Sequence, residues 1–175
     1  MSRSKRFREA IARFDRLNAE DPNVETADGA DHPTELLYAQ RMSAALERFA
    51  PVGSEVVRLA VRCQHVRRWT VPRASYPEGR DGYRRWRTDL GRFHAQTACD
   101  VLRGVGCEDR PVARVQVLLR KKRLKADPEV QLLKDMVCLF SALPPRRTPR
   151  TTAEQYVTLH RGRALGARPT RSRRS

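Results

Sequence analysis

The sequence predicts an all-α domain followed by a basic tail, and three observations predict it. Apolar residues recur at steps of three and four up to residue 143. The stretches between them are rich in turn formers. No window alternates with period two for long enough to propose a sheet. With 175 residues the chain is long enough for one domain and too short for two comfortable ones.

Phe7, Ile11, Phe14 and Leu17 follow Ser4 at helical spacing and give a first amphipathic helix. Residues 20–33 read as a polar loop. A second helix over about 34–49 takes Leu37, Ala45, Leu46 and Phe49 as its inner face. Ser54 caps a third helix over 55–69, apolar round much of its circumference through Val56, Val57, Leu59, Ala60, Val61, Cys63 and Val66. Such a helix belongs at the centre of a bundle.

A loop from Thr70 to Gly82 follows, with Pro72, Pro77 and Gly79. The fourth helix, about 83–103, carries a stripe of Tyr83, Trp86, Leu90, Phe93, Thr97 and Val101, and Gly104 and Gly106 close it. Asp109 and Pro111 open a fifth helix with Val112, Val115, Leu118 and Leu119 inside. Asp127-Pro128-Glu129 places an N-cap before proline at the first helical position, which starts a sixth helix through Leu132, Leu133, Met136, Val137, Leu139 and Phe140. The pattern stops at Leu143-Pro144-Pro145, so the expected domain is 1–143. Residues 144–175, rich in Arg, Pro and Thr, bury too little to offset their ordering entropy and are expected to be disordered.

Formal charge is +16, from 36 basic and 20 acidic side chains. Nine arginines between 146 and 175 face one acid, Glu154, the composition of an arm that meets nucleic acid or anionic lipid. No stretch approaches the roughly 20 apolar residues that cross a bilayer. The first residues lack the apolar run of a secretory signal. Cys63, Cys99, Cys107 and Cys138 form no CxxC pair, which argues against a zinc site and a disulfide framework and suits a reducing cytoplasm.

Polar residues among apolar ones are the candidates for chemistry. His94 sits beside the inner stripe of the fourth helix, and Asp135 points toward the packed side of the sixth. His65 shares a face with Val57 and Val61. A carboxylate in an apolar setting needs a partner or a cation, so these three residues form a candidate catalytic pocket and a candidate site for a divalent metal. The plainer reading makes each imidazole a hydrogen-bonded core residue and pairs Asp135 with Arg67 or Arg68.

In Gln64-His65-Val66-Arg67-Arg68-Trp69, Arg67 and Arg68 can bind a phosphate bidentately with Trp69 as a stacking surface. The alternative is a solvated helix terminus whose cations complement the dipole. Arg120-Lys121-Lys122-Arg123-Leu124-Lys125 and Tyr83-Arg84-Arg85-Trp86-Arg87-Thr88 add basic surface suited to phosphate or RNA. A Gly-rich phosphate loop, GxSxG and HExxH are all missing from the sequence.

Six blocks resemble a bacterial and fungal family catalogued as domain of unknown function 4202. They are Leu36-Leu37-Tyr38-Ala39-Gln40-Arg41-Met42-Ser43, Gln64-His65-Val66-Arg67-Arg68-Trp69, Ser75-Tyr76-Pro77, Arg92-Phe93-His94-Ala95, Leu118-Leu119-Arg120-Lys121 and Asp127-Pro128-Glu129-Val130-Gln131. The resemblance runs from about Arg6 to Phe140. The order of blocks is also similar to a worn HD-type phosphohydrolase, a metal-dependent helical fold.

That similarity implies a ligand role for Tyr38, where the first metal-binding histidine would stand. It matches His65 to the histidine of the His-Asp pair, with Val66 in place of its aspartate, and Asp135 to the distal aspartate. Arg67, Arg68, Trp69 and Lys121 complete the expected ligand-binding set. The abrupt change of composition near Ser141 reads as out-of-frame translation of a high-GC gene, which predicts a truncated domain.

Three functions follow from these features: an HD-like domain that binds or hydrolyses a phosphate-bearing small molecule, a basic protein that binds RNA or tRNA, and a truncated, inactive relative.

Overall fold

A computed structural model describes residues 3–121 and 126–142 of the chain. Helices α1 (Arg3–Ala19), α2 (Thr34–Phe49), α3 (Glu55–Cys63), α4 (Gly79–Gly104), α5 (Asp109–Leu119) and α6 (Pro128–Ala142) form a helical domain, with one small hairpin of strands β1 (Val24–Ala27) and β2 (Ala30–Pro33). The compact unit runs to Phe140. The expected tail, 144–175, lies outside the described residues. Among those residues no helix is long and apolar enough to cross a membrane.

Three helix ends follow from local chemistry. Ser54 Oγ accepts from the backbone N–H of Val57 at 3.2 Å and starts α3. Asp127 Oδ1 accepts from the N–H groups of Glu129 and Val130 at 3.1 and 3.3 Å and starts α6. α4 ends in a Schellman arrangement: Gly106 takes φ of 76°, its N–H reaches Arg103 O, and the Cys107 N–H reaches Leu102 O at 2.9 Å.

The apolar core is drawn from every helix. Phe14, Met42, Leu46, Val57, Val61, Leu102, Val115, Leu118 and Leu133 are among its largest fully buried side chains. α3 packs against α1, α2 and α5, the central position that its all-round apolar surface predicts. Cys63 and Cys99 are buried free thiols; Cys107 is half-buried and Cys138 exposed, and both are also free.

The structure corrects the sequence expectation in four places. Residues 20–33 are not all loop, because β1 and β2 pair antiparallel with Ala27 opposite Ala30. Asp28 and Gly29 between them both take positive φ, 51° and 82°, the turn that Asp-Gly favours. Helix α3 stops at Cys63 rather than residue 69; a turn and a short 3-10 segment, Arg68–Thr70, follow it.

On α2 the deep positions are Ala39, Met42 and Leu46, while Leu37 is only half-buried. On α4, which begins at Gly79, the buried arc runs through Trp86, Leu90, His94, Ala98 and Leu102, and Tyr83 is half exposed. The first turn of α4 also needs Gly82, where a Cβ would stand 1.8 Å from the carbonyl oxygen of Pro77.

Candidate functional site

The turn after α3 organises the site. Arg67 sits in left-handed backbone geometry (φ 53°), unusual for a residue with a side chain. Its N–H donates to Asn18 Oδ1 of α1 at 3.1 Å, and Asn18 is fully buried, so a contact 49 residues away holds the strained turn. Val66 is fully buried in the core and anchors the turn from beneath. On either side of these two anchors the chain presents Gln64, His65 and Arg68.

α2 brings Glu35 and Tyr38 against that turn. Asp21 fixes the helix start: its Oδ2 accepts from the Glu35 N–H at 2.9 Å. Proline at position 33 offers no side-chain cap, and this distant carboxylate replaces one. Glu35 is buried, with Oε2 3.3 Å from His65 Nδ1 and Oε1 3.5 Å from Arg68 Nη1. Tyr38 stacks on the His65 ring with centroids 4.4 Å apart and an interplanar angle of 10°. The rings of His65 and His94 lie 5.9 Å apart.

These imidazoles and the turn open onto a cleft of about 550 Å³. Its cationic lining is Arg87 and Arg92 from α4 and Arg120 and Lys121 from the end of α5. Gln64, His65 and His94 supply neutral polar surface, and Leu90, Leu119 and Leu133 the apolar wall. None of the described lining residues is Asp or Glu. Lys121 adopts φ of 50°, a second left-handed residue on the rim.

Burial sets the electrostatics. It pushes the His94 imidazole well below its ordinary pKa, and the charges of His65, Arg68, Arg87 and Lys121 act the same way. Burial also lowers His65, against the opposing pull of the Glu35 carboxylate. Lys121 is lowered by burial and then by the like charge of Arg87. Tyr38 is raised, chiefly by burial and next by Glu35. At neutral pH the floor of the cleft is therefore two neutral imidazoles under a cationic rim.

Buried polar atoms concentrate here. Among the described residues, seven buried side-chain nitrogen or oxygen atoms have no hydrogen-bond partner: Asn18 Nδ2, Glu35 Oε2, Tyr38 OH, Gln64 Nε2, Arg67 Nε, Arg68 Nε and His94 Nε2. Every one belongs to the 64–68 turn or to a residue touching it. An unpaired buried polar atom costs about 1–3 kcal/mol, which makes this turn the place where the described residues leave most polar groups for other partners, water included.

The expected site residues divide. His65, His94 and Lys121 line the cleft, and Tyr38 supports it through its stack on His65. Arg68 is absent from the lining; it pairs with Glu35, which contacts His65, and its guanidinium lies 5.4 Å from the Trp86 ring. Arg67 acts through its backbone at the turn. Trp69 lies in the 3-10 segment away from the lining; the aromatic surface beneath Arg68 is Trp86, whose Nε1 donates to Val71 O at 2.9 Å.

Asp135 is also absent from the lining and accepts from Gln131 Nε2 at 2.6 Å, one turn earlier on α6. Among the described residues no group of three His, Cys, Asp or Glu side chains can hold a metal ion. The ligand set implied for a divalent cation does not fit the residues present: Val66 is core, and Asp135 is engaged by its own helix.

Sequence reasoning missed Glu35, gave Arg92 no role, and placed Arg87 only in a basic run suited to phosphate or RNA. A carboxylate three residues before Tyr38 on one helix face was the available signal for Glu35. The two arginines flank the buried arc of α4, and their place becomes visible only once the phase of that arc is known.

A search of the curated proteins and a search of the solved structures each return no match. One family model matches, described as domain of unknown function (DUF4202), over residues 8–141. That span takes in all of α2 to α5 and most of α1 and α6. The chain therefore belongs to the DUF4202 family.

Proposed function

We propose that the cleft binds a phosphate-bearing small molecule. One observation carries the reading: four cationic side chains line a concave space that has no acidic side chain among its described lining residues. Burial lowers Lys121 and the like charge of Arg87 adds to it; such like charges in a partly enclosed site repel, and a multivalent anion relieves the repulsion. Arginines offer a phosphate paired donors of matching geometry. The volume suits one small ligand.

The imidazoles fit the same reading. An anion in the cleft raises the pKa of any imidazole beside it, so His65 and His94 are poised to take up protons as the anion arrives. Hydrolysis is the further step that the similarity to HD-type enzymes implies. The described lining offers a hard divalent cation no carboxylate oxygen, so the proposal is binding of the ester, with no step routed through a metal.

The test is a calorimetric titration of the full chain with inorganic phosphate and simple phosphate esters, repeated on the double variant Arg92→Gln/Arg120→Gln. Both arginines are exposed, so the variant should fold. The expected result is saturable binding at one site, weakened at least about tenfold in the variant. Binding unchanged in the variant would place the anion outside the cleft and overturn the proposal. The exposed arginines Arg84 and Arg85 of α4 favour a second reading, RNA binding. It predicts steeply salt-dependent association that survives removal of residues 146–175.

A further inference from the structure

The arginines lining the cleft are exposed, and its buried inner end is built from different groups. Gln64 and His94 are 7% and 5% exposed and line the cleft. Each keeps its Nε2 without a hydrogen-bond partner among the described residues. Beside them stand Leu90, Leu119 and Leu133.

Such a pole is poorly suited to a second phosphate. A carboxamide carries no charge to match one, and the apolar wall raises the cost of burying one. It suits a neutral group that accepts from the Gln64 carboxamide nitrogen and pairs with the imidazole nitrogen of His94. A buried polar site that is left unpaired by an analogue lacking that group rejects the analogue strongly, so this end would set specificity while the rim sets affinity for charge.

Resting on the anion-binding reading above, we propose that the ligand is a phosphate monoester whose organic part bears an uncharged hydrogen-bonding group, a hydroxyl or a carbonyl, met by Gln64 and His94 at the inner end of the cleft. The rim arginines and Lys121 hold the phosphate. The leucines contact the carbon skeleton between the two poles.

Three probes of equal phosphate charge test this on the full chain: methyl phosphate, glycerol 3-phosphate and uridine monophosphate. The expected result is that one of the two larger esters binds at least about tenfold tighter than methyl phosphate, the worth of one well-made hydrogen bond or more. Gln64→Met should erase that preference, read as the ratio of the affinities for the preferred ester and for methyl phosphate in the same variant. His94→Gln, which keeps an amide nitrogen near the same place, should retain part of it. Thermal melts identify which of the two variants folds, and an unchanged preference in a folded one overturns the inference. So does equal affinity for all three probes, with the anion-binding reading left standing. If none of the three binds, both proposals fall.

Discussion

Two arginines six residues apart meet opposite fates in this domain. Arg62, in α3, is saturated: Nε and Nη2 reach the two carboxylate oxygens of Asp15 at 2.6 Å each, and Nη1 donates to Ser43 Oγ at 3.2 Å and Ala39 O at 3.4 Å. Arg68, beyond the turn, has one long contact to Glu35 at 3.5 Å, a ring beneath it, and a buried Nε with no partner among the described residues. The first cluster ties α1, α2 and α3 together. The second lies behind His65, which lines the cleft. Within one sequence, then, polar burial is completed at one arginine and left incomplete at the other, beside the turn from which the proposed ligand cleft opens.

The largest expected effect falls on the saturated cluster. Asp15→Ala strands a partly buried guanidinium and should lower stability by about 2–3 kcal/mol, read from the urea midpoint at unchanged slope. Phosphate affinity should not move. A stability loss below about 0.5 kcal/mol would mean that solvent already satisfies Arg62 and would blunt the contrast between the clusters.

Next comes the pH response of the unsaturated region. His65 and His94 have folded pKa values below the unfolded imidazole value of 6.5, so the unfolded chain binds more protons than the folded one as pH falls. Stability should be full above about pH 6.5 and decline as pH drops toward the lowered folded values. Melting temperatures across pH 7.5 to 5 should show this slope, and His94→Gln should flatten it. Added phosphate should flatten it too, because an anion in the cleft raises the folded imidazole pKa values.

The smallest effect belongs to Glu35→Gln. Glu35 meets only a neutral imidazole at 3.3 Å and Arg68 at a long 3.5 Å, so losing its charge should change stability by no more than about 1 kcal/mol in either direction. The His65 pKa should fall further once the carboxylate is gone, which side-chain NMR titration reads directly. A large loss of stability would show that Glu35 is as structural as Asp15.

The six helices were legible because each shows a 3.6-residue apolar rhythm, and the Asp127-Pro128 start of α6 because a cap is local chemistry. The hairpin hid because its strands are four residues long and largely exposed, which leaves no alternating apolar face. The end of α3 hid because Val66 continues the helical rhythm. Its left-handed successor, Arg67, is stabilised by Asn18 from another helix, and single-sequence periodicity carries no such partner. The meeting of His65 and His94 could be read from their faces. Their link to Glu35, and the engagement of Asp135 by Gln131, depend on side-chain directions that spacing leaves open.

The most direct measurement of the central claim is the side-chain ¹⁵N resonance pattern of His94 in the full chain during titration with inorganic phosphate at pH 6.5. The account predicts a saturating shift of both ring nitrogens toward the imidazolium position, lost in Arg92→Gln/Arg120→Gln. A His94 signal that stays fixed while arginine resonances elsewhere respond would contradict it.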